Sequence, residues 1–297
     1  LKYVEIKASM HRGDFGLSNI LRLILSLFVM MSLAISCVCF ETDETGRVQV
    51  TEMAEATEIV EMSKVGSFQE EYHSVSLGGA DSVRVSIGMR TGEMSISSGS
   101  DDLLNAVFLY NVAEWKPDID YRVEEGQGDL AIKQPNEKII TLKDDVVYQW
   151  NLGFDETAVT DLSVKLGACE AKLDLDNTSL VSLDINSGAG DLNVNLTGNQ
   201  SLKRLDLRMG AGNAILDLRG DWNKDMVAKI QNGIGTTTLK LPINVGVSVT
   251  PRSGLGTITY EGLRREDNRY VNEAQDQSDI TLYIEIDSGA GNIVLEG

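Results

Sequence analysis

Three cysteines, two histidines and 45 aspartates and glutamates are the groups in this 297-residue chain that could carry chemistry. A nucleophilic thiol or hydroxyl needs a base beside it, and the only histidine after residue 11 is His73. It stands outside every repeated segment, so no Ser-His-Asp or Cys-His arrangement can be assembled around it. Cys37 and Cys39 sit together near the start of the chain. Cys169 takes the third place of a Gly-Ala-Cys turn where sibling turns carry glycine, which fits a small turn residue better than a reactive thiol. Histidine and cysteine clusters with zinc spacing are missing. The carboxylates are more suggestive: Asp174, Asp176, Asp184, Asp191, Asp206 and Asp217 recur on neighbouring repeats. A rack of them could hold calcium weakly, and two across a cleft could hydrolyse a glycoside. The calcium-roll nonapeptide does not occur, and nothing marks a catalytic pair. A solvated face is the expected role. The chain therefore reads as non-enzymatic, with no catalytic residue, metal ligand or cofactor assigned.

The charge balance narrows the partners. Formal net charge is −19; residues 1–36 hold four cations and two anions, so the remainder stands at −21. Such a surface repels nucleic acid and anionic headgroups, and no nucleic-acid partner is expected. Residues 23–36 form an apolar stretch preceded by His11, Arg12 and Arg22, the order of a secretory signal. It ends in Ala34-Ile35-Ser36-Cys37, which resembles a bacterial lipobox and marks Cys37 as the lipid attachment site. An uncleaved anchor is the alternative, since the apolar run through Phe40 is 18 residues long. Both readings place the rest outside the cytoplasm, at the cell surface or in the periplasm of a prokaryote, with the membrane as partner through the anchor. Residues 37–74 read as an acidic linker with a short helix at 52–62.

The elements beyond residue 75 are strands joined by a recurring Gly-small-Gly turn. Its copies begin at Gly167, Gly188, Gly210, Gly233, Gly254 and Gly289, at spacings of 21, 22, 23, 21 and 35 residues. After each turn apolar residues fall at every second position, as in Leu192, Val194 and Leu196 or Ala214, Leu216 and Leu218. A second ladder precedes each turn, as in Leu183 and Ile185 or Leu205 and Leu207. Residues between them are mostly Asp, Asn, Thr or Lys. Two such strands cannot bury their inner faces alone, so equivalent strands must stack in parallel. The fold class expected is all-β: a parallel β-solenoid of about eight coils, roughly 40 Å long at about 4.8 Å per coil. Coils with insertions fill 75–165, one of them cornered at Gly126, and regular coils fill 166–297. Ser187, Asn232, Ser253 and Ser288, just before the turns, would form an inward polar ladder.

With these ladders in place a resemblance is visible. Gly92-Glu93-Met94-Ser95-Ile96, Trp115-Lys116-Pro117 and Trp150-Asn151-Leu152 resemble the N-terminal part of the toast-rack family. Leu166 to Leu175 followed by Ser187-Gly188-Ala189-Gly190 resembles its repeated core. The tail from Tyr270 through Asp279-Ile280 to Gly291-Asn292-Ile293 is similar to LiaF-like envelope-stress proteins. The resemblance covers roughly 75–297 and implies a β-solenoid on the outer side of a prokaryotic membrane, without catalytic residues to transfer. LiaF-like members carry several membrane helices ahead of the domain, where this chain has one lipoprotein-like signal.

The leading expectation is a non-enzymatic, lipid-anchored, adhesin-like solenoid that presents an interaction surface to an envelope protein or polysaccharide. A signalling subunit of a cell-wall antibiotic stress response is the alternative, and a carboxylate-dependent surface hydrolase the third. Arg264, Arg265, Arg269 and Tyr270 form a basic and aromatic cluster in an insertion and are candidate contact residues. Trp115 and Trp150 are candidates for an aromatic contact patch, or else cap the first coils. The last strand, 292–297, is expected to expose an edge for end-to-end self-association.

Overall fold

Apolar residues at every second position favour strands, and most of the strands among the described residues follow that pattern. The structure, a computed structural model, describes residues 40–42, 48–50, 66–135 and 146–297. The chain divides into two units, 1–60 and 61–297. In the first, Phe40–Thr42 pairs antiparallel with Val48–Val50. Cys37, the signal segment and the helix expected at 52–62 lie outside the described residues.

The second unit is all-β, built from rungs of two strand arms that meet at a glycine corner. Ser82–Ser98 and Val159–Asp174 run unbroken through their corners. Other rungs are split: Ser182–Ala189 with Leu192–Asn195, Arg204–Ala211 with Ala214–Asp217, and Met226–Ile234 with Thr237–Lys240. Gly246–Leu255 with Ile258–Glu261 and Thr281–Ala290 with Ile293–Glu296 complete the set. Each arm pairs parallel and in register with its equivalent on the next rung. Inward side chains therefore line up in columns, such as Leu183, Leu205, Ala228 and Ile284, or Leu173, Val194, Leu216, Leu239 and Leu295. All of these are buried. Stacking identical faces removes from water what one rung alone would leave wet.

The corners explain the glycines. Gly212 has φ +131°, and a Cβ there would collide with the carbonyl oxygen of Gly190 on the adjacent rung. Side chains are thus excluded by the approach of the backbones as well as by the dihedral. Of the residues just before the corners, Ser187, Asn232 and Ser288 are buried. The Asn232 Nδ2 donates to Gly212 O and to Thr237 Oγ1, both at 3.2 Å, so corner carbonyls find a partner.

The stack departs from chain order, contrary to the expectation of rungs piling up one after another. Thr281–Ala290 lies between Met226–Ile234 and Gly246–Leu255, and Ile293–Glu296 lies between Thr237–Lys240 and Ile258–Glu261. After Glu261 the chain forms a hairpin of Arg264–Glu266 and Arg269–Val271, whose second strand lies antiparallel on Ser248 and Val249. A 3-10 turn at Glu273–Asp276 follows, and the chain returns one rung inward. The long 35-residue spacing is this detour. The final strand is consequently bonded on both sides and is not the exposed edge expected. Among the described residues that edge belongs to Ile258–Glu261, which pairs on one side only.

The other end is also permuted. Ser82–Ser98 lies between Val159–Asp174 and two strands that follow it, Gln127–Lys133 and Tyr148–Phe154. Gly126 does not corner a coil: with Glu125 it turns an antiparallel hairpin joining Asp118–Glu124 to Gln127–Lys133. Both residues have positive φ, +51° and +81°, as a two-residue hairpin requires. Leu104–Tyr110 pairs antiparallel with Tyr148–Phe154 and with Gln69–Val75. The expected linker at 37–74 therefore ends in a strand of the fold. Gln69–Val75 exposes one face and half-buries the other, but that half-buried face carries Glu71 and His73 beside Val75, so it lacks the apolar alternation that would have revealed it.

Candidate interaction surfaces

The groups that could carry chemistry are engaged elsewhere. Cys169 is buried, and loss of solvent pushes its thiol up to about 12, where no thiolate forms. His73 contacts Glu71 Oε2 at 3.1 Å and lies edge-on to Phe108. Glu71 is the most perturbed carboxylate. The Tyr110 hydroxyl donates to it at 2.7 Å, and with Lys116 and His73 holds it down to about 2.

The aspartate rack is likewise committed. Asn195 Nδ2 donates to Asp174 at 2.7 Å, Arg219 pairs with Asp217 at 2.6 Å, and Arg204 pairs with Asp206. Asp184 accepts from Asn186, Asp176 from Ser98 and Asn177, and Asp191 from Asn213. Among the described residues no three His, Cys, Asp or Glu side chains gather as metal ligands would.

The two tryptophans do not form a surface patch. Trp115 and Trp150 are 4% and 1% exposed and join Tyr148 and Phe108 in edge-on ring contacts at 5.2–5.7 Å. Large rings are the cheapest way to close the open end of an apolar stack, so burial overrides their availability as contacts. The insertion cluster is split. Tyr270 is buried against Tyr260 at 4.7 Å and seals the opposite end of the core. Arg264 reaches Glu266 and Asp276 at 3.0 and 2.5 Å, and Arg269 reaches Glu266 at 2.8 Å. Arg265, exposed above the Tyr270 ring at 6.0 Å, donates to the Asp267 carbonyl at 3.1 Å and forms no ion pair among the described residues.

What the repeats do assemble is a groove of about 750 Å³ on the outer face of the second arms. Its floor is one outward column: Asn151, Ser95, Lys172, Asn193, Ile215 and Thr238, each beside the next on adjoining strands. Five strand spacings make this row about 24 Å long. Asn151, Lys172 and Asn193 are exposed, and none of the row's polar side chains has a hydrogen-bond partner among the described residues. Along one rim run Gln149, Glu93, Glu170, Asp191, Asn213 and Thr236. That rim is partly tied down: Gln149 donates to Glu93 at 2.9 Å, Asp191 accepts the Asn213 N–H, and Asn213 accepts the Thr236 N–H. The sequence marked these positions only as the wet side of the alternation. Which of them adjoin was hidden in the inter-rung register. Among the described residues no helix is long and apolar enough to cross a membrane.

A family model described as the N-terminal domain of toast_rack (DUF2154) matches residues 64–203 and 199–240. No curated protein matches the chain. Among solved structures, a candidate cell adhesion protein from Clostridium sporogenes is 26% identical. It superposes with a TM-score of 0.60 over 77% of this chain and 99% of its own. A candidate adhesin from Bacteroides fragilis is 12% identical with a TM-score of 0.28, over 77% of this chain and 97% of its own. A candidate lipid-binding protein from Parabacteroides distasonis is also 12% identical with a TM-score of 0.31, over the same shares.

Proposed function

Because this chain belongs to the toast-rack family, we propose that it is a non-enzymatic, membrane-anchored extracytoplasmic module whose stacked sheet presents an interaction surface to the cell envelope. The observation that carries this reading is the groove row from Asn151 to Thr238. Its polar side chains are uncommitted, while the thiol, the imidazole and the aspartates that chemistry would need are buried or paired. The Clostridium sporogenes protein, similar over almost its whole length, supports a role in adhesion. Anchoring rests on Cys37 and the apolar segment before it. Fractionation of cells that express the full chain tests both parts. The wild type is expected in the membrane fraction and to retain isolated envelope material, and Cys37→Ser is expected to release it. A chain that stays soluble, or that retains no envelope material, overturns the proposal.

End-to-end association is a second reading, favoured by the one-sided strand Ile258–Glu261. Tyr260 within it and Leu255 just before it are 47% and 76% exposed. An unpaired edge with apolar neighbours is a template for another strand. Sedimentation of the full chain over a wide concentration range is expected to show self-association, and a monomer throughout removes this reading.

A further inference from the structure

The groove on the second arms offers more than a wet surface, and its chemistry selects among partners. The strands beneath it are bonded on both sides: the second arm of Ser82–Ser98 lies between Tyr148–Phe154 and Val159–Asp174, and Ala214–Asp217 between Leu192–Asn195 and Thr237–Lys240. No backbone donor row is left for an added peptide strand, so β-augmentation cannot occur there. A protein partner would need apolar or aromatic anchors, yet Ile215 is the exposed apolar side chain on the floor, at 36%. A polyanion would meet Glu93, Glu170 and Asp191 along the rim.

What remains matches a polyhydroxylated, uncharged chain. Asn151 and Asn193 each present a donor and an acceptor, Ser95 and Thr238 present hydroxyls, and Lys172 presents an ammonium in mid-row. Sugar hydroxyls both give and accept hydrogen bonds, and the rim carboxylates and Lys172 strengthen those they join. Ile215 supplies an apolar step against which the C–H face of a sugar ring rests. A row about 24 Å long takes several sugar units laid along the stack.

We infer that this groove binds a linear, uncharged oligosaccharide along the row Asn151, Ser95, Lys172, Asn193, Ile215 and Thr238; the inference rests on the interaction-surface reading above. Because Trp150, the aromatic residue lining the groove, is buried and offers no exposed ring, single-site binding is weak, on the order of millimolar. Many anchored copies on one surface convert such sites into firm attachment.

The test is an NMR titration of the isotope-labelled full chain with cellohexaose and with chitohexaose. Polygalacturonate serves as the anionic comparison and a hexapeptide as the peptide comparison. Amide shifts confined to the groove strands with either neutral sugar are expected. Asn151→Ala with Asn193→Ala is expected to weaken binding by about fivefold or more. Ser95→Arg, which fills the floor, should abolish it at an unchanged melting temperature. Binding that neither variant alters, or shifts caused only by the anionic polymer or the peptide, overturns the assignment, as does a groove silent to both neutral sugars. Retention of envelope material by the Ser95→Arg chain would sink the groove while leaving the display reading intact. A groove that takes the hexaose in a chain retaining no envelope material would do the reverse.

Discussion

Glu71 shows how a single residue ties the first strand to the fold. Tyr110, Lys116 and His73 all favour its charged form, and its folded value near 2 lies below the ordinary 4.5. A depressed carboxylate stabilises the fold fully above its unfolded value and loses that contribution as pH falls, here between about 4.5 and about 2. Glu71→Gln is therefore expected to lower the denaturant midpoint at pH 7 and to flatten the acid limb in that window. An acid limb identical to wild type would show that the pairing carries no stability. Gly212 is a case of steric necessity. Gly212→Ala is expected to cost about 2–3 kcal/mol, because neither the +131° φ nor the Gly190 carbonyl leaves room for a methyl group. Asn213→Ala next to it removes the exposed acceptor of the Thr236 N–H and the exposed Nδ2 donor to Asp191, and should cost about 1 kcal/mol. Equal melting temperatures for the two variants would contradict this ranking.

Among the elements, the last strand pair has the most consequence. Since Thr281–Ala290 is sandwiched between two others, removing residues 262–297 takes away an inner rung and leaves Gly246–Leu255 without its neighbour. Removing 242–297 instead withdraws both rungs and ends the stack on Thr237–Lys240. The shorter chain is expected to melt higher than the longer one, the opposite of what a stack in chain order would give. Calorimetry of the two truncations decides it. The same topology places the aggregation-prone edge at Ile258–Glu261, where Thr259→Lys would suppress any self-association without touching the core.

At the scale of the whole second unit, one continuous core runs through the columns from Val83 to Leu295. Stability should then depend on a residue's place along the stack. Leu207→Ala, buried between Ile185 and Ile230, is expected to cost about 3 kcal/mol, whereas Ile258→Ala at the open end should cost less than about 1 kcal/mol. Chemical denaturation measures both, and equal losses would mean that the rungs do not share a core. The outer face is organised on the same scale. The groove exists because six strands from distant parts of the chain bring one outward position each into a row.

Local pattern alone was enough for the regular strands beyond Val159, their glycine corners and the inward-facing positions, because alternation and close backbone approach are properties of a few neighbouring residues. Cys169 as an inert corner residue followed in the same way from its place in a glycine slot. The order of the rungs did not: whether Thr281–Ala290 follows or precedes Gly246–Leu255 depends on where the hairpin at 264–271 docks, and that is a contact between residues far apart in sequence. Nor could alternation reveal Gln69–Val75, whose half-buried face carries Glu71 and His73, or decide that Trp115, Trp150 and Tyr270 close the ends of the core instead of facing a partner. The groove is the clearest instance. Asn151, Lys172 and Asn193 are unremarkable wet residues one by one, and only parallel registration of their strands makes them a binding row.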